Sequence, residues 1–307
     1  MQNSRLLFIP LLVALSFPAQ SQTGLTVAGF GYRKPANTIT AAPGQVLTVS
    51  SFGITKRIPD PVFPLPTATG LPTEVEGVSV DLVQGPVTVQ LPIRGIQQNP
   101  PATTLTIQIP YELIVDSRDP ARLRIKEGGA TVSEIAVNPV ADSVHVINTC
   151  DQTGIFLSIA DGVPAGFCAP MVIHARGPLV SASAPATPGE TLILWAYGLG
   201  ALDHPMLSSC CSSPDQLPRA VQPFNVSFSY TDAGRFPFRR LTQAVPTYVG
   251  MPGAGNYQVH FVVPDVPADI SRCSARVGNL RVLVSGPSSA DSAEICVQPS
   301  AQSDSTQ

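Results

Sequence analysis

Charged side chains are scarce in this sequence: Lys, Arg, Asp and Glu together make up 13% of its 307 residues. Long surface helices carry such residues on their outer faces, so this scarcity argues against a helical fold. No cluster of Lys or Arg appears and the net charge is −3. A protein that grips nucleic-acid phosphates needs a concentrated basic surface, so that class is set aside. Cysteine is missing from residues 1–149. There is no C-x-x-C pair for zinc, no H-E-x-x-H helix and no G-x-S-x-G elbow. Tryptophan occurs once, as Trp195. Apart from the extreme N-terminus, no run is apolar enough to span a bilayer.

Proline and glycine are plentiful instead, at 32 and 24 copies, in a chain that is 44% hydrophobic. Short strands joined by Pro/Gly turns suit this composition, and a chain of this length holds two domains. The N-terminus reads as a signal peptide over residues 1–21: Arg5, the apolar stretch Leu6 to Phe17, then Ala19-Gln20-Ser21 with small residues at both recognition positions. Cleavage after Ser21 would give a mature chain that is secreted, periplasmic or on the cell surface. Six cysteines, Cys150, Cys168, Cys210, Cys211, Cys273 and Cys296, agree with an oxidising compartment.

The chain also says one thing twice. "APGQVLTVSSFG" (42–53) returns as "TPGETLILWAYG" (187–198), "LTIQIP" (105–110) as "VHFVVP" (259–264), and "SEIAVNP" (133–139) as "AEICVQP" (293–299). The offset grows from 145 to 160, so the second copy gained residues between matched segments, where loops tolerate insertion. Each copy alternates apolar and polar positions, as Leu47 and Val49 against Thr48 and Ser50 show, with Pro, Gly, Asp or Asn between runs. The expected fold class is all-β: two tandem Ig-like antiparallel β-sandwiches, over 22–140 and 183–300, joined by a β-hairpin connector over 141–182. A polar tail occupies 301–307.

The series APGQ…FG, IQIPYEL, EIAVNPVADSVHVINTCD, GPLVSASAPATPGETLILWAYGLG and VSGPSSADSAEICV resembles the Solibacter-type repeat domain of secreted acidobacterial proteins. That family is similar to immunoglobulin-like TIG modules. The resemblance covers nearly all of the mature chain and implies the fold. Its motifs are turn and strand signatures, so it implies no catalytic residues.

Candidate chemistry is thin. Of the four histidines, Asp142 precedes His145 by three positions and Asp203 adjoins His204, while His174 and His260 fall in strand-like runs. A hydrolase would need a nucleophile beside one of them. Asp116 and Asp119 in "VDSRDP" suit a turn better than a calcium site. Tyr111, Tyr197, Tyr230, Tyr248 and Tyr257 lie in or beside strands, as core or edge residues rather than sugar platforms. Asn225-Val226-Ser227 forms a glycosylation sequon inside a strand-like run. No cofactor or metal is implied. The loops "TKRIPDPVFPLPTATGLP" and "ALDHPMLSSCCSSPDQLP" follow the two opening strands and are candidate binding loops.

For the cysteines, strand order predicts a Cys273–Cys296 bridge and a Cys150–Cys168 bridge, with Cys210 and Cys211 as a vicinal bridge or thiols. The alternative staples 210 and 211 to 150 and 168. Ile193 and Trp195 replace Thr48 and Ser50 on the outer face of the opening strand, which predicts a cover supplied by Val172, Ile173 or Phe156. The first domain, without that pair, is expected to lack a cover. The functional reading is a non-enzymatic extracellular binding or structural protein, for adhesion at a cell surface or matrix. Its partner would be an extracellular protein or glycan. Carbohydrate recognition is the alternative, and a loop-borne Ser/His/Asp hydrolase the third reading.

Overall fold

Leu47 and Val49 are fully buried while Thr48 and Ser50 between them are only half-buried, which makes Val46–Ser51 a strand with one core face. The same alternation recurs along the chain. The computed structural model describes residues 25–28, 38–65, 70–151, 167–204, 217–232, 235–253 and 256–299. Residues 1–21, where a signal segment is expected, the tail 301–307, Phe156, Cys210 and Cys211 lie outside the described residues. Every helix or strand element among the described residues is a strand, and the chain is all-β.

The first half contains β1 (Leu25–Ala28), β2 (Thr38–Ala41), β3 (Val46–Ser51), β4 (Glu74–Val75), β5 (Val78–Gln84), β6 (Val87–Gln90), β7 (Ile93–Asn99), β8 (Ala102–Gln108), β9 (Ala121–Glu127) and β10 (Ala130–Pro139). One sheet has the order β1-β3-β8-β7; the other has β2-β10-β9-β5-β4, with β6 also on β5. The second half contains β11 (His145–Val146), β12 (Val172–His174), β13 (Thr191–Tyr197), β14 (Asn225–Asp232), β15 (Arg235–Ala244), β16 (Tyr248–Gly253), β17 (Asn256–Val262), β18 (Leu280–Ser285) and β19 (Ala290–Ile295). Here β11 and β12 both pair with β13, followed by β17 and β16, and the facing sheet runs β15-β14-β18-β19. The sequence repeat is thus a repeat of topology: β13, β17, β18 and β19 stand where β3, β8, β9 and β10 stand. The central orders, β3-β8-β7 against β10-β9-β5, match the B-E-D and G-F-C orders of immunoglobulin-type sandwiches.

Each half has its own core. Leu47, Val80, Leu105, Ile107 and Leu123 belong to the first, and Leu194, Phe228, Val259, Phe261 and Val282 to the second. Leu192, Leu194 and Ala196 face that second core, in step with Leu47, Val49 and Ser51 in the first half.

The expected connector hairpin over 141–182 is corrected by the strand pairing. β11 and β12 lie end to end along one edge of β13, both antiparallel to it, and the hairpin is limited to the base between them, where Asn148 and Pro170 form an antiparallel bridge and Met171 N–H donates to the Ile147 carbonyl at 2.7 Å. His145 and Val146 sit opposite Tyr197 and Ala196, and Val172 to His174 opposite Leu194 to Leu192. Between them the chain leaves the edge and returns, pinned at its base by Thr149 N–H donating to the Ala169 carbonyl at 2.8 Å and by the Cys150–Cys168 disulfide. The segment is thus an edge strand of β13 interrupted by a short hairpin. The second sandwich therefore begins near Asp142, not at 183.

No linker separates the halves. Val140 N–H still donates to Ala41 of the first sandwich, at 2.9 Å, and Ser143 N–H donates to Gly198 of the second, at 2.8 Å. Only Ala141 and Asp142 lie between, and Asp142 already accepts from Ser288 N–H at 2.8 Å. Across the junction Tyr257 is fully buried, and its ring meets Tyr111 edge-on with centroids 6.3 Å apart. The Tyr111 hydroxyl donates to Met251 Sδ at 2.9 Å, and the Arg94 guanidinium stands 5.6 Å above the Tyr197 ring. Burial pushes both the Tyr111 and Tyr257 phenols above their ordinary pKa.

Candidate functional site

The clearest difference between the two copies is what covers the outer edge of the last strand. In the first sandwich β2 pairs in parallel with β10 over four residues, Thr38 to Ala41 against Ala136 to Pro139. Ile39 and Ala41 point inward and are fully buried. In the second sandwich that cover shrinks to one parallel bridge between Ala186 and Val297. Ala186 N–H donates to the Cys296 carbonyl at 2.9 Å, and Gln298 N–H donates to the Ala186 carbonyl at 2.8 Å. Just upstream, Ser181 and Ala184 exchange backbone hydrogen bonds of 3.0 and 3.2 Å, and this turn draws the chain away.

Beyond that bridge the outer edge of β19 carries no paired strand among the described residues. Pairing with β18 engages the backbone of Asp291, Ala293 and Ile295 and leaves Ser292, Glu294 and Cys296 directed outward. Ser292 N–H donates to its neighbour's Asp291 Oδ1 at 2.8 Å. The Glu294 amide and carbonyl have no hydrogen-bond partner among the described residues. Beside this edge runs a groove formed by two adjoining cavities of about 630 and 280 Å³. They share Phe167, Pro170, Arg276, Gly278 and Glu294. Cys168 lines the larger cavity and Cys296 the smaller, so a disulfide stands beside each.

One end of the groove is fastened by side chains. β11 directs Val144 N–H and Val146 N–H toward β19, where Ser289 Oγ and Asp291 Oδ2 accept them at 2.6 and 2.8 Å. His145 bridges the same seam, with Nε2 at 2.9 Å from Asp151 and Nδ1 at 3.5 Å from Asp291. Burial alone would lower the His145 pKa, but hydrogen bonds to Asp151 and Asp291 outweigh it and raise the value to about 9. At Asp291, burial acts upward and the bonds from His145, Val146 and Ser292 act downward; the result lies below the ordinary range.

The other sequence candidates fall elsewhere. His174 Nδ1 meets Glu190 at 2.5 Å, and its Nε2 meets the Ala184 carbonyl at 3.1 Å, a clasp that fixes the turn before β13. Exposed His204 pairs with Asp203 at 2.8 Å, and half-buried His260 pairs with Gln258 at 2.8 Å. The four histidines are spread over separate places rather than gathered at one site. Asp119 N–H is held by Ser117 Oγ at 3.1 Å, as turn chemistry requires, and Asn225 opens β14. Among the described residues no group of three His, Cys, Asp or Glu could hold a metal.

Tyr197, Tyr230, Tyr248 and Tyr257 are buried, and Tyr111 packs against the second core. The bridges Cys150–Cys168 and Cys273–Cys296 are both present. Of the two long loops, the first is bolted along β7: Val62 and Ile96 exchange backbone hydrogen bonds of 2.9 Å, and Phe63 packs at Gly95. Residues 205–216 of the second loop lie outside the described residues.

Trp195 is half-buried against a small third core of Val46, Ile147, Ala169, Met171, Leu179 and Tyr197. Ile173 packs there as well, so the outer face of β13 has its cover. Val46 belongs to the first sandwich, which corrects the expectation that this domain stands free of any cover. The open edge of β19 is the feature that sequence reading missed.

No family model matches the chain, and no curated protein matches it. Among solved structures, pullulanase type I of Bacillus subtilis, complexed with maltose, matches 89% of this chain and 24% of its own, at 9% identity and a TM-score of 0.21. The adhesin InvE of Yersinia pseudotuberculosis matches 88% of this chain and 58% of its own, at 10% identity and a TM-score of 0.19. The S-layer protein rSbsC matches 90% of this chain and 41% of its own, at 10% identity and a TM-score of 0.20. The chain spans about a quarter of the pullulanase and under two thirds of the other two. Likenesses at these TM-scores carry no argument about this chain.

Proposed function

We propose that this chain is an exported, non-enzymatic binding or structural protein of a cell surface or extracellular matrix, of the Solibacter-type repeat family. The observation that carries the reading is the junction: two sandwiches joined without a linker and interlocked through Tyr111, Tyr257, Arg94 and Tyr197. Such a lock fixes the direction in which each sandwich presents its edges and loops, which a binding or scaffolding protein uses. The two disulfides support an oxidising compartment. The single tryptophan and the five described tyrosines are occupied in packing, which leaves the glycan alternative without an aromatic platform among the described residues.

Two measurements test the reading. N-terminal sequencing of the exported product should begin at or near Gln22, and recovery of full-length chain in membranes would contradict export. Fluorescently labelled protein from Gln22 onward should bind intact cells or their envelope saturably. Binding that never saturates, or a catalytic turnover on the envelope fraction, would contradict the rest.

A further inference from the structure

Two short arms flank Trp195. β11 gives two residues to the pairing with β13, and β12 gives three. Just beyond them, Ile147 N–H donates to the Trp195 carbonyl and Trp195 N–H donates to the Met171 carbonyl, both at 3.0 Å. The arms then meet each other at the Asn148–Pro170 bridge, and Ala169 N–H donates to Thr149 Oγ1 at 3.0 Å. A pairing this small is marginal alone, and a covalent tie that stops its arms from separating supports it. The Cys150–Cys168 disulfide stands at this base and joins residues 18 positions apart. What the base buries is part of the junction. Ile147, Ala169 and Met171 pack with Tyr197 and with Val46 of the first sandwich, and the ring of Tyr197 lies under the first sandwich's Arg94. The two disulfides differ in access. Cys150 and Cys168 are both exposed, whereas Cys296 is buried and Cys273 half-buried. Thiol attack on a disulfide needs access, so a reductant meets the Cys150–Cys168 bridge first.

We propose that the Cys150–Cys168 bridge is a redox-sensitive clasp on the junction: once it is reduced, the hairpin base leaves Trp195 and Val46, and the two sandwiches gain freedom to turn against each other. The reductant is a dithiol. One of its thiolates attacks a bridge sulfur, the S–S bond breaks, and a mixed disulfide forms with the release of one cysteine thiolate. The second thiolate of the reductant then displaces the other cysteine. Two electrons and two protons pass to the bridge, which ends as two thiols, and the dithiol ends as a disulfide. Reoxidation reverses the step. Tyr257 still stands between Pro43 and Gly200, so the halves loosen rather than part. The Cys273–Cys296 bridge lies with the second core and its loss leaves the hairpin base in place. The clasp rests on the proposed reading of two sandwiches held in fixed directions, and adds a means of regulating it.

The test uses the full chain from Gln22 onward. Limiting dithiothreitol, followed by alkylation and peptide mapping, should label Cys150 and Cys168 about tenfold sooner than Cys273 and Cys296. Residual dipolar couplings then show whether the two sandwiches share one alignment. In the oxidised protein they should share one, and after reduction each should need its own. Iodide quenching of Trp195 should roughly double on reduction, and the Trp195 amide should exchange about tenfold faster. Reoxidation should restore all three readings. Cys150→Ser together with Cys168→Ser should reproduce the reduced state, whatever happens at Cys210 and Cys211. If that variant misfolds, the parent under limiting reductant still decides. A shared alignment with unchanged Trp195 quenching after reduction overturns the clasp and leaves the interlocked reading standing. Earlier labelling of Cys273 and Cys296, or loss of the strand signal in circular dichroism on reduction, overturns the clasp as well. Separate alignments already present in the oxidised protein overturn the interlocked reading, and the clasp with it.

Discussion

The hydroxyl oxygen of Tyr257, in the second sandwich, lies 3.3 Å from the carbonyl oxygen of Pro43 in the first. The same hydroxyl stands 2.5 Å from the Gly200 carbonyl, so one buried side chain touches both halves. Gly44 follows Pro43 with a φ of +72°, and a Cβ there would stand 2.4 Å from that hydroxyl oxygen and 2.5 Å from Tyr111 Cε1. The corresponding Gly189 has a φ of +81° and nothing within 4 Å of such a Cβ.

These two glycines give a paired prediction. Gly189→Ala adds only backbone strain and should cost about 1 kcal/mol. Gly44→Ala adds the same strain and drives a methyl into two buried tyrosines, for a total of about 3 kcal/mol. Thermal or urea unfolding should rank them in that order. Equal costs would contradict the interlock.

Trp195→Ala removes a large side chain from the third core and should lower stability by about 3 kcal/mol through the cavity it leaves. Because Trp195 is the sole tryptophan, its fluorescence reports its surroundings without ambiguity. Iodide should quench it weakly in the folded protein. Quenching as strong as in the unfolded chain would remove the cover and restore Trp195 as a ligand platform.

His145 sets a pH dependence whose sign follows from its partners. It faces Asp151 from the excursion and Asp291 from β19, and it stacks on Tyr197 with centroids 6.5 Å apart. Its folded pKa of about 9 exceeds the ordinary value of 6.5, so the folded state holds the proton more tightly than the unfolded one. The stabilisation is fully present below pH 6.5 and fades as the pH rises through 9. A shift of this size corresponds to about 3 kcal/mol. His145→Gln should therefore flatten the fall in stability between pH 6.5 and 9, measured by urea unfolding at each pH. A parallel fall in the variant would assign the dependence to other groups.

Non-reducing peptide mapping should recover the Cys150–Cys168 and Cys273–Cys296 peptides. Opening the first bridge with Cys150→Ser and Cys168→Ser together frees the excursion and should cost about 3 kcal/mol. Any peptide joining Cys210 or Cys211 to Cys150 or Cys168 would contradict the pairing.

Alternation and repetition carried most of the fold into view from sequence. The strand patterns at "QVLTVSSFG" and "TLILWAYG" assign the same core face that Leu47 and Leu194 occupy, since period-two burial is a local property. The bridge between Cys273 and Cys296 followed from two neighbouring antiparallel strands. The junction was not legible, because its cause is tertiary. Pro43-Gly44 and Pro188-Gly189 read alike, and only the distant Tyr257 distinguishes them. The connector misled for a related reason. Its two apolar runs suggest mutual pairing, but β13 offers both a better partner, already fixed in the sheet. The open edge left no trace in the sequence, because an unpaired backbone depends on what distant parts of the chain bring alongside it.

The account turns on the outward backbone of Glu294 being open beyond the Ala186–Val297 bridge, and amide hydrogen exchange resolved to single residues measures that directly. The Val140 amide is bonded to Ala41 and the Gln298 amide to Ala186, so both should exchange slowly. The Glu294 amide, in a strand but without an acceptor among the described residues, should exchange at least a hundredfold faster than either. Slow exchange at Glu294 in the isolated protein would mean that the edge is already occupied, and would contradict the account.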